Sequence, residues 1–322
     1  MIKLLDCTLR DGGYVNDWSF GKNNIFSIIE SLNSSKIDFI ELGFLKECNY
    51  NPDKTFFDSV AGLNQFILPD QKYTVMINCG EFNVKNFSLN ENKNIKIRLA
   101  FKKHNQEQAL NDIETLKTKG FDVFANPMST NTYSKEELES LINKINYLNP
   151  FGLSIVDTLG NMYEKDVIEI FEFINQKLNP EISLGFHSHN SLQLSFSNAK
   201  ALIKMGINRE LVIDCCLFGM GRGAGNLCTE LITKYLNDNY NAEYDIKPIL
   251  KTISEIIKPI YEIYPWGYST PYYIAALHGC HPNYASLLVS RGVSDSNISK
   301  ILLKIPNDKK AVFDRAFLES IL

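Results

Sequence analysis

With 322 residues, 44% of them hydrophobic, the chain is long enough to bury one large core plus a small appendage. Its formal net charge of −4, with no basic tract, excludes nucleic acid and anionic membrane as main partners. No apolar stretch approaches the roughly 20 residues of a membrane span, and Met1-Ile2-Lys3-Leu4-Leu5-Asp6 carries charge too early for a secretory signal.

In chain order, short β-rich runs alternate with longer amphipathic ones as far as about residue 240. The predicted strands are Ile2–Cys7, Ile37–Phe44, Tyr73–Asn78, Ile95–Phe101, Asp122–Asn126, Gly152–Asp157, Ile182–His187 and Leu211–Phe218. Several are nearly continuous apolar runs, the pattern of parallel strands covered on both faces. Helical patterns lie between them. Asn105–Lys119 follows an Asn cap and stops at Gly120, Ser134–Leu148 opens on a Ser134/Glu137 capping box, and Glu164–Leu178 carries a broad apolar face. Eight strand–helix units in a row either close into a barrel or lie in an open doubly wound sheet, and the count of eight favours an α/β fold of the (β/α)₈ TIM-barrel type.

After residue 240 the rhythm changes. Tyr244–Ile263 reads as an apolar helix, Tyr264–Tyr273 is aromatic and turn-rich, and two or three short helices follow. Residues 1–240 are therefore expected to form the catalytic barrel. Residues 241–322 are expected to form a small C-terminal helical extension, serving as a lid or a dimerisation element. The seven cysteines include no CxxC pair and read as reduced, mostly buried thiols of a cytoplasmic protein, not as disulfides or a cysteine zinc site.

In such barrels the chemistry sits where the strands end. The first strand runs into Arg10-Asp11-Gly12-Gly13, the second carries Glu41, the fourth Arg98, and the sixth leads to Asp157-Thr158. The seventh ends in His187-Ser188-His189-Asn190, and the eighth is followed by Gly219-Met-Gly-Arg-Gly-Ala-Gly-Asn226. Side chains two apart on a strand point the same way, so His187 and His189 can share one ion at the barrel mouth. An HxH pair alone equally describes core histidines. Asp11, converging from the first strand, adds the carboxylate that gives the set the character of a metal site. Two histidines and one carboxylate suit Mn²⁺, Fe²⁺, Co²⁺, Mg²⁺ or Zn²⁺, with Mn²⁺ the first choice, and leave positions for a chelating substrate. Arg10 can face substrate oxygens, pair with Glu41, or do both. The Gly219–Gly225 run lacks the Lys-Ser/Thr of a P-loop; it permits close backbone approach and a tight turn, with phosphate binding at the next helix as the alternative.

Taken together, Asp6-Cys-Thr-Leu-Arg10-Asp11-Gly12-Gly13, Ile40-Glu41-Leu42-Gly43-Phe44, His187-Ser-His189-Asn190 and Gly219 to Asn226 resemble the DRE-TIM metallolyase superfamily. That group includes hydroxymethylglutaryl-CoA lyase, isopropylmalate and homocitrate synthases, and 4-hydroxy-2-oxovalerate aldolase. The resemblance implies that Asp11, His187 and His189 hold the metal, with Asn226 a further ligand in the lyase branch. It implies that Arg10 stabilises the enolate oxygen, that Glu41 holds Arg10, and that Thr158 contacts the 2-oxo acid. Arg98, Tyr272 and His278 are further candidates for substrate contact. The implied reaction cleaves or forms the C3–C4 bond of a 4-hydroxy-2-oxo acid through a pyruvate-type enolate.

The RDGG motif followed by Tyr14 departs from the RDGEQ of the acyl-CoA-using synthases and lies closer to the aldolases, which have histidine where this chain has Tyr14. The general base is therefore open among Tyr14, Tyr272, Tyr273, His278 and His281, and the change suggests a longer or sugar-derived substrate. The resemblance also implies a homodimer and an aldehyde dehydrogenase partner. Two rival readings remain: a Claisen-type synthase joining an acyl-CoA to a 2-oxo acid, and a non-catalytic barrel that binds metal and ligand.

Overall fold

The computed structural model describes residues 1–90 and 92–322. The apolar runs become strands β1 (Ile2–Asp6), β2 (Phe39–Leu45), β3 (Phe56–Phe57), β4 (Lys72–Asn78), β5 (Ile95–Phe101), β6 (Val123–Pro127), β7 (Gly152–Asp157), β8 (Ser183–Ser188) and β9 (Leu211–Cys215). All pair in parallel. The order β1-β9-β8-β7-β6-β5-β4-β2 closes through a β1–β2 pairing, so eight strands form the barrel and the two-residue β3 adds to the side of β2. Every residue of β2 and of β5 to β9 is buried, as expected when side chains fill the barrel on one face and meet helices on the other.

The outer ring holds α1 (Lys22–Ser34), α2 (Gln106–Thr118), α3 (Lys135–Leu148), α4 (Glu164–Lys177), α5 (Ser195–Lys204) and α6 (Thr229–Tyr240). Two of the eight expected helices are replaced by 3₁₀ turns, Ala61–Phe66 after β2 and Val84–Asn86 after β4. The segments there contain Asn49, Asn51, Pro52 and Asp53, and Gly80, Asn83, Asn86 and Asn90. Short polar side chains that compete for the backbone, together with Gly and Pro, favour turns over helix. The last barrel strand also ends earlier than expected, because the chain turns into a 3₁₀ segment at Leu217–Gly219 with Phe218 at φ 53°.

The capping box that opens α3 is present. Glu137 N–H donates to Ser134 Oγ at 3.2 Å and Ser134 N–H donates to Glu137 Oε2 at 2.7 Å. Ser134→Ala is expected to lower unfolding free energy by about 1 kcal/mol, read from the denaturant midpoint at constant slope. The register of β2 against β4 shifts between Glu41 and Phe44. Gly43 lies at the shift with φ +144°, and a Cβ there would sit 2.0 Å from Thr55 O, so only glycine lets the strand carry the Thr55 segment alongside.

Beyond the barrel, α7 (Ile246–Thr252), a π turn (Ile253–Ile257) and α8 (Lys258–Ile263) form the expected long helix. Its Ile249, Ile253 and Ile257 join the barrel's apolar core. A second, separate core forms among α9 (Thr270–Leu277), α10 (Pro282–Ser290), α11 (Asp295–Leu303) and α13 (Arg315–Ser320), around Tyr284, Leu288, Ile298 and Leu302, while the short α12 (Asn307–Lys310) adds no buried residue to it. Five helices thus stand where two or three were expected. Among the described residues no helix is long and apolar enough to cross a membrane.

Candidate active site

The strand ends of β1, β2, β8 and β9 bring a buried polar cluster to the C-terminal mouth of the barrel. Ligand atoms of Asp11, His187 and His189 all lie within 4.8 Å of one another, so the three can hold a metal ion. Their tautomers suit that role. His187 Nδ1 meets the Asp214 carboxylate at 2.9 Å and His189 Nδ1 meets the Asp157 carbonyl at 3.1 Å. An acceptor at each Nδ1 requires the proton there, leaving an Nε2 lone pair on each ring. His189 Nε2 is buried with no hydrogen-bond partner among the described residues, 3.5 Å from Asp11 Oδ2.

Asn226 belongs to the same cluster. Its Nδ2 donates to Asp11 Oδ2 at 2.7 Å and to Met220 O at 2.9 Å, while its Oδ1 is buried and unpartnered. A free lone pair on His189 and an amide oxygen without a donor fit a cation better than they fit a closed hydrogen-bond network. The carboxylate is ready for it. Burial pushes Asp11 up, but the Arg10 guanidinium beside it holds it well below the usual carboxylate range. Burial likewise lowers His187 against the opposing pull of Asp214, keeping the ring neutral. A second group, Cys7, His187 and Asp214, also has ligand atoms close together. There the His187–Asp214 contact already uses both partners, and burial raises the Cys7 thiol, so this group reads as support for His187.

Gly221 shows why the loop after β9 is rich in glycine. A Cβ at 221 would lie 2.3 Å from Asn226 Nδ2 and 3.4 Å from Asp11 Oδ2. Gly221→Ala is expected to displace Asn226 and weaken metal affinity about tenfold, measured by titrating the stripped protein with Mn²⁺.

Arg10 is anchored at two points. Its Nε donates to Glu41 Oε2 at 2.7 Å and its Nη1 donates to Asp11 Oδ1. Among the described residues Nη2 has no partner, and Arg10 lines a cavity of roughly 50 Å³ together with Asp11, His187 and His189. Phe44, Met76, Met128 and Val156 give that cavity an apolar wall. Arg98, fully buried, donates through Nη1 to Glu41 Oε2 at 3.0 Å and through Nη2 to Asp214. Its guanidinium is thus engaged beneath the site, so the geometry corrects the expected substrate contact to a brace between Glu41 and the carboxylate under His187. Thr158 lines the cavity, its Oγ1 accepting from Ser129 N–H at 2.8 Å.

Tyr14 lines the cavity as well, edge-on to Trp18 and Phe44. Burial pushes its phenol up despite the opposing Arg222, so near neutrality it offers a proton rather than a phenolate. The inner cavity opens through Tyr14, Thr158 and Arg222 into a cleft of roughly 630 Å³, walled on the far side by His281, Asn307 and Phe313 of the extension. Tyr272 and His278 line neither space. Tyr272 Oη accepts from Ser286 Oγ at 3.3 Å and His278 Nε2 meets Ser299 Oγ at 2.8 Å, both within the extension's own packing. The expected substrate contacts at these two positions therefore do not border either space, whereas His281 and Arg222 line the cleft. Asp214 was missed too. A lone acid inside the apolar run Leu211–Cys215 was the available signal, since a buried carboxylate needs a partner.

The family model described as HMGL-like matches residues 1–256. The chain belongs to the HMGL-like family. Among curated relatives, the 4-hydroxy-2-oxovalerate aldolase of Pelotomaculum thermopropionicum is 24% identical over 270 residues, covering 80% of this chain and 77% of its own length. The corresponding aldolase of Pseudoalteromonas translucida is 25% identical over 274 residues, covering 80% and 76%. Among solved structures, the N-terminal domain of a candidate aldolase from Bacteroides vulgatus superposes with a TM-score of 0.77 at 26% identity, over 89% of this chain and 96% of that one. HMG-CoA lyase from Bacillus subtilis shares the fold at a TM-score of 0.62 and 14% identity, over 81% and 93%. As a member of the HMGL-like family this chain is a carbon–carbon lyase.

Proposed function

We propose that the chain is a divalent-metal-dependent aldolase that cleaves or forms the C3–C4 bond of a 4-hydroxy-2-oxo acid, with pyruvate as the 2-oxo product. The observation that carries this is the convergence of Asp11, His187 and His189 beside the doubly anchored Arg10 in one small cavity. Asp11, His187, His189 and Asn226 would hold the ion, with Mn²⁺ the first choice. When bound, the ion supplies Lewis-acid stabilisation of negative charge on the 2-oxo acid.

The chain's own residues divide the remaining work. Arg10 Nη2, fixed by the bonds at Nε and Nη1, donates to the keto oxygen and binds it more strongly as charge develops. Glu41, held in turn by Arg98, keeps that guanidinium in place. Thr158 borders the 2-oxo acid head, and Phe44, Met76 and Val156 exclude water from C3. In the bond-forming direction Tyr14 donates its phenolic proton to the aldehyde oxygen; in cleavage the minor phenolate form of Tyr14 takes the C4 hydroxyl proton and the phenol then returns it to C3 of the enolate, which releases pyruvate. The extension, which walls the outer cleft with His281 and Phe313, serves as a lid over the leaving aldehyde.

Exchange of solvent deuterium into the methyl group of pyruvate, followed by NMR, tests the enolate step alone. Exchange is expected with Mn²⁺-loaded protein and is expected to be absent from stripped protein. Thiol release from acetyl-CoA with a 2-oxo acid, in place of exchange, would move the assignment to the Claisen-type synthase.

A further inference from the structure

The outer cleft holds a cation that the proposed chemistry leaves unused. Arg222 lines both the small inner cavity and the outer cleft, at their junction with Tyr14 and Thr158. Its guanidinium lies over the Tyr14 ring, Cζ 4.6 Å from the centroid. Its Nε is buried with no hydrogen-bond partner, and among the described residues no carboxylate lies within ion-pair distance of it. A half-buried guanidinium whose Nε is out of water and without an acceptor is unfavourable, which a ligand anion would correct.

Two further groups line the same cleft. Lys102 has no ion-pair partner among the described residues, unlike Lys103, which is taken by Glu137. His281 accepts the Asn283 N–H at Nδ1, 3.2 Å, so its proton is on Nε2 and the ring is a neutral donor. Burial, and after it the positive charge of Arg222, holds His281 well below its usual value. The cleft's two carboxylates are Glu81, which accepts from Asn78 Nδ2 at 3.1 Å, and Asp308. Neither pairs with Arg222.

Size separates the two spaces by task. The inner cavity, roughly 50 Å³, has room for about four water-sized centres and suits the three-carbon 2-oxo acid head. Atoms beyond C4 must then pass Arg222 into the outer cleft of roughly 630 Å³, far more than a two-carbon aldehyde fills. We propose that this cleft is a subsite for an anion on the aldehyde half of the substrate, held by Arg222 with Lys102 and His281 beside it. The acceptor aldehyde is then one that carries a carboxylate or a phosphate a few bonds from its carbonyl. This inference rests on the aldolase reading above for its position in the reaction, but the anion site itself can be tested apart from it.

The Mn²⁺-loaded enzyme is given pyruvate and four aldehydes: succinic semialdehyde, glyceraldehyde 3-phosphate, and the neutral counterparts butanal and glyceraldehyde. An anionic aldehyde is expected to exceed its neutral counterpart in kcat/KM by about ten- to hundredfold, the range of a charge-assisted hydrogen bond. Whichever anion wins identifies the source. In Arg222→Gln, and to a smaller extent in Lys102→Gln, that ratio is expected to collapse towards one. Were Arg222 instead serving the pyruvate carboxylate, Arg222→Gln would raise KM for all four reactions alike and leave the ratio unchanged, which overturns the proposal. Calorimetry with the unreactive mimics glycerol 3-phosphate and 4-hydroxybutyrate, against glycerol, separates the two readings. Anion binding lost in Arg222→Gln, with no reaction of any aldehyde, would sink the aldolase reading and keep the subsite. Turnover of neutral aldehydes, with no preference for anions and no binding of either mimic, would do the reverse.

Discussion

Arg10→Ala is expected to lower kcat/KM for pyruvate release by about a thousandfold, the upper range for loss of one preorganised donor to a developing oxyanion. The fold should survive, because each of the carboxylates left behind keeps another partner. Glu41 Oε2 still accepts from Arg98 at 3.0 Å, and Asp11 Oδ2 still accepts from Asn226 at 2.7 Å. The chemistry should not survive, because Arg98 is tied to Glu41 and Asp214, and Arg222 stands over the Tyr14 ring where the cavity meets the outer cleft, so neither takes the doubly anchored position of Arg10. Arg10→Lys keeps the charge but cannot reproduce the fork that spans Glu41 and Asp11, so most of the loss should remain, about a hundredfold. Steady-state kinetics at saturating metal, beside circular dichroism, reads both quantities. A variant that turns over within a fewfold of wild type would remove Arg10 from the reaction.

Asp214→Asn is expected to reduce metal affinity about ten- to hundredfold while leaving the four proposed ligands in place. Asp214 Oδ2 receives His187 Nδ1 at 2.9 Å and also the Arg98 guanidinium, and the charge of Arg98 holds this buried carboxyl below its usual value. An ionised acceptor at Nδ1 raises the basicity of Nε2 and fixes the ring. The amide provides neither the charge nor a settled choice of acceptor. Excess Mn²⁺ should restore most activity if the effect is on the ligand, whereas a collapsed site would not be rescued. A metal titration in which the variant matches wild type would contradict the assignment of Asp214 as support for His187.

The barrel was legible because its strands are buried on both faces and so had to be written as apolar runs, as in Val123–Ala125 and Leu211–Ile213. The helix starts that carry explicit capping chemistry, such as Ser134 with Glu137, were legible for a similarly local reason. The turns after β2 and β4 were not, since the eightfold rhythm outweighed the asparagines that oppose helix there. At the candidate site, residues in strand-end motifs came together as expected: Arg10, Asp11, Glu41, His187, His189 and Asn226 form one connected cluster. Residues chosen from the extension fared differently. Tyr272 packs against the second core and His278 meets Ser299 within the extension, while His281, three residues beyond His278, faces the cleft. Helix phase in a short, irregular segment depends on tertiary packing and carries no local signature. Asp214 and Arg222 escaped notice because each acts by what it meets across the barrel, which spacing along the chain does not reveal.

Metal-dependent cleavage of a 4-hydroxy-2-oxo acid is proposed at Asp11, His187 and His189. Its most direct test strips the protein of metal, reloads it with Mn²⁺, Co²⁺, Mg²⁺ or Zn²⁺, and follows pyruvate release from a panel of such acids through lactate dehydrogenase. Pyruvate is expected only with metal, fastest with Mn²⁺, and abolished in His187→Ala. Pyruvate at an undiminished rate from the stripped protein, or no pyruvate from any acid with any metal, would contradict it.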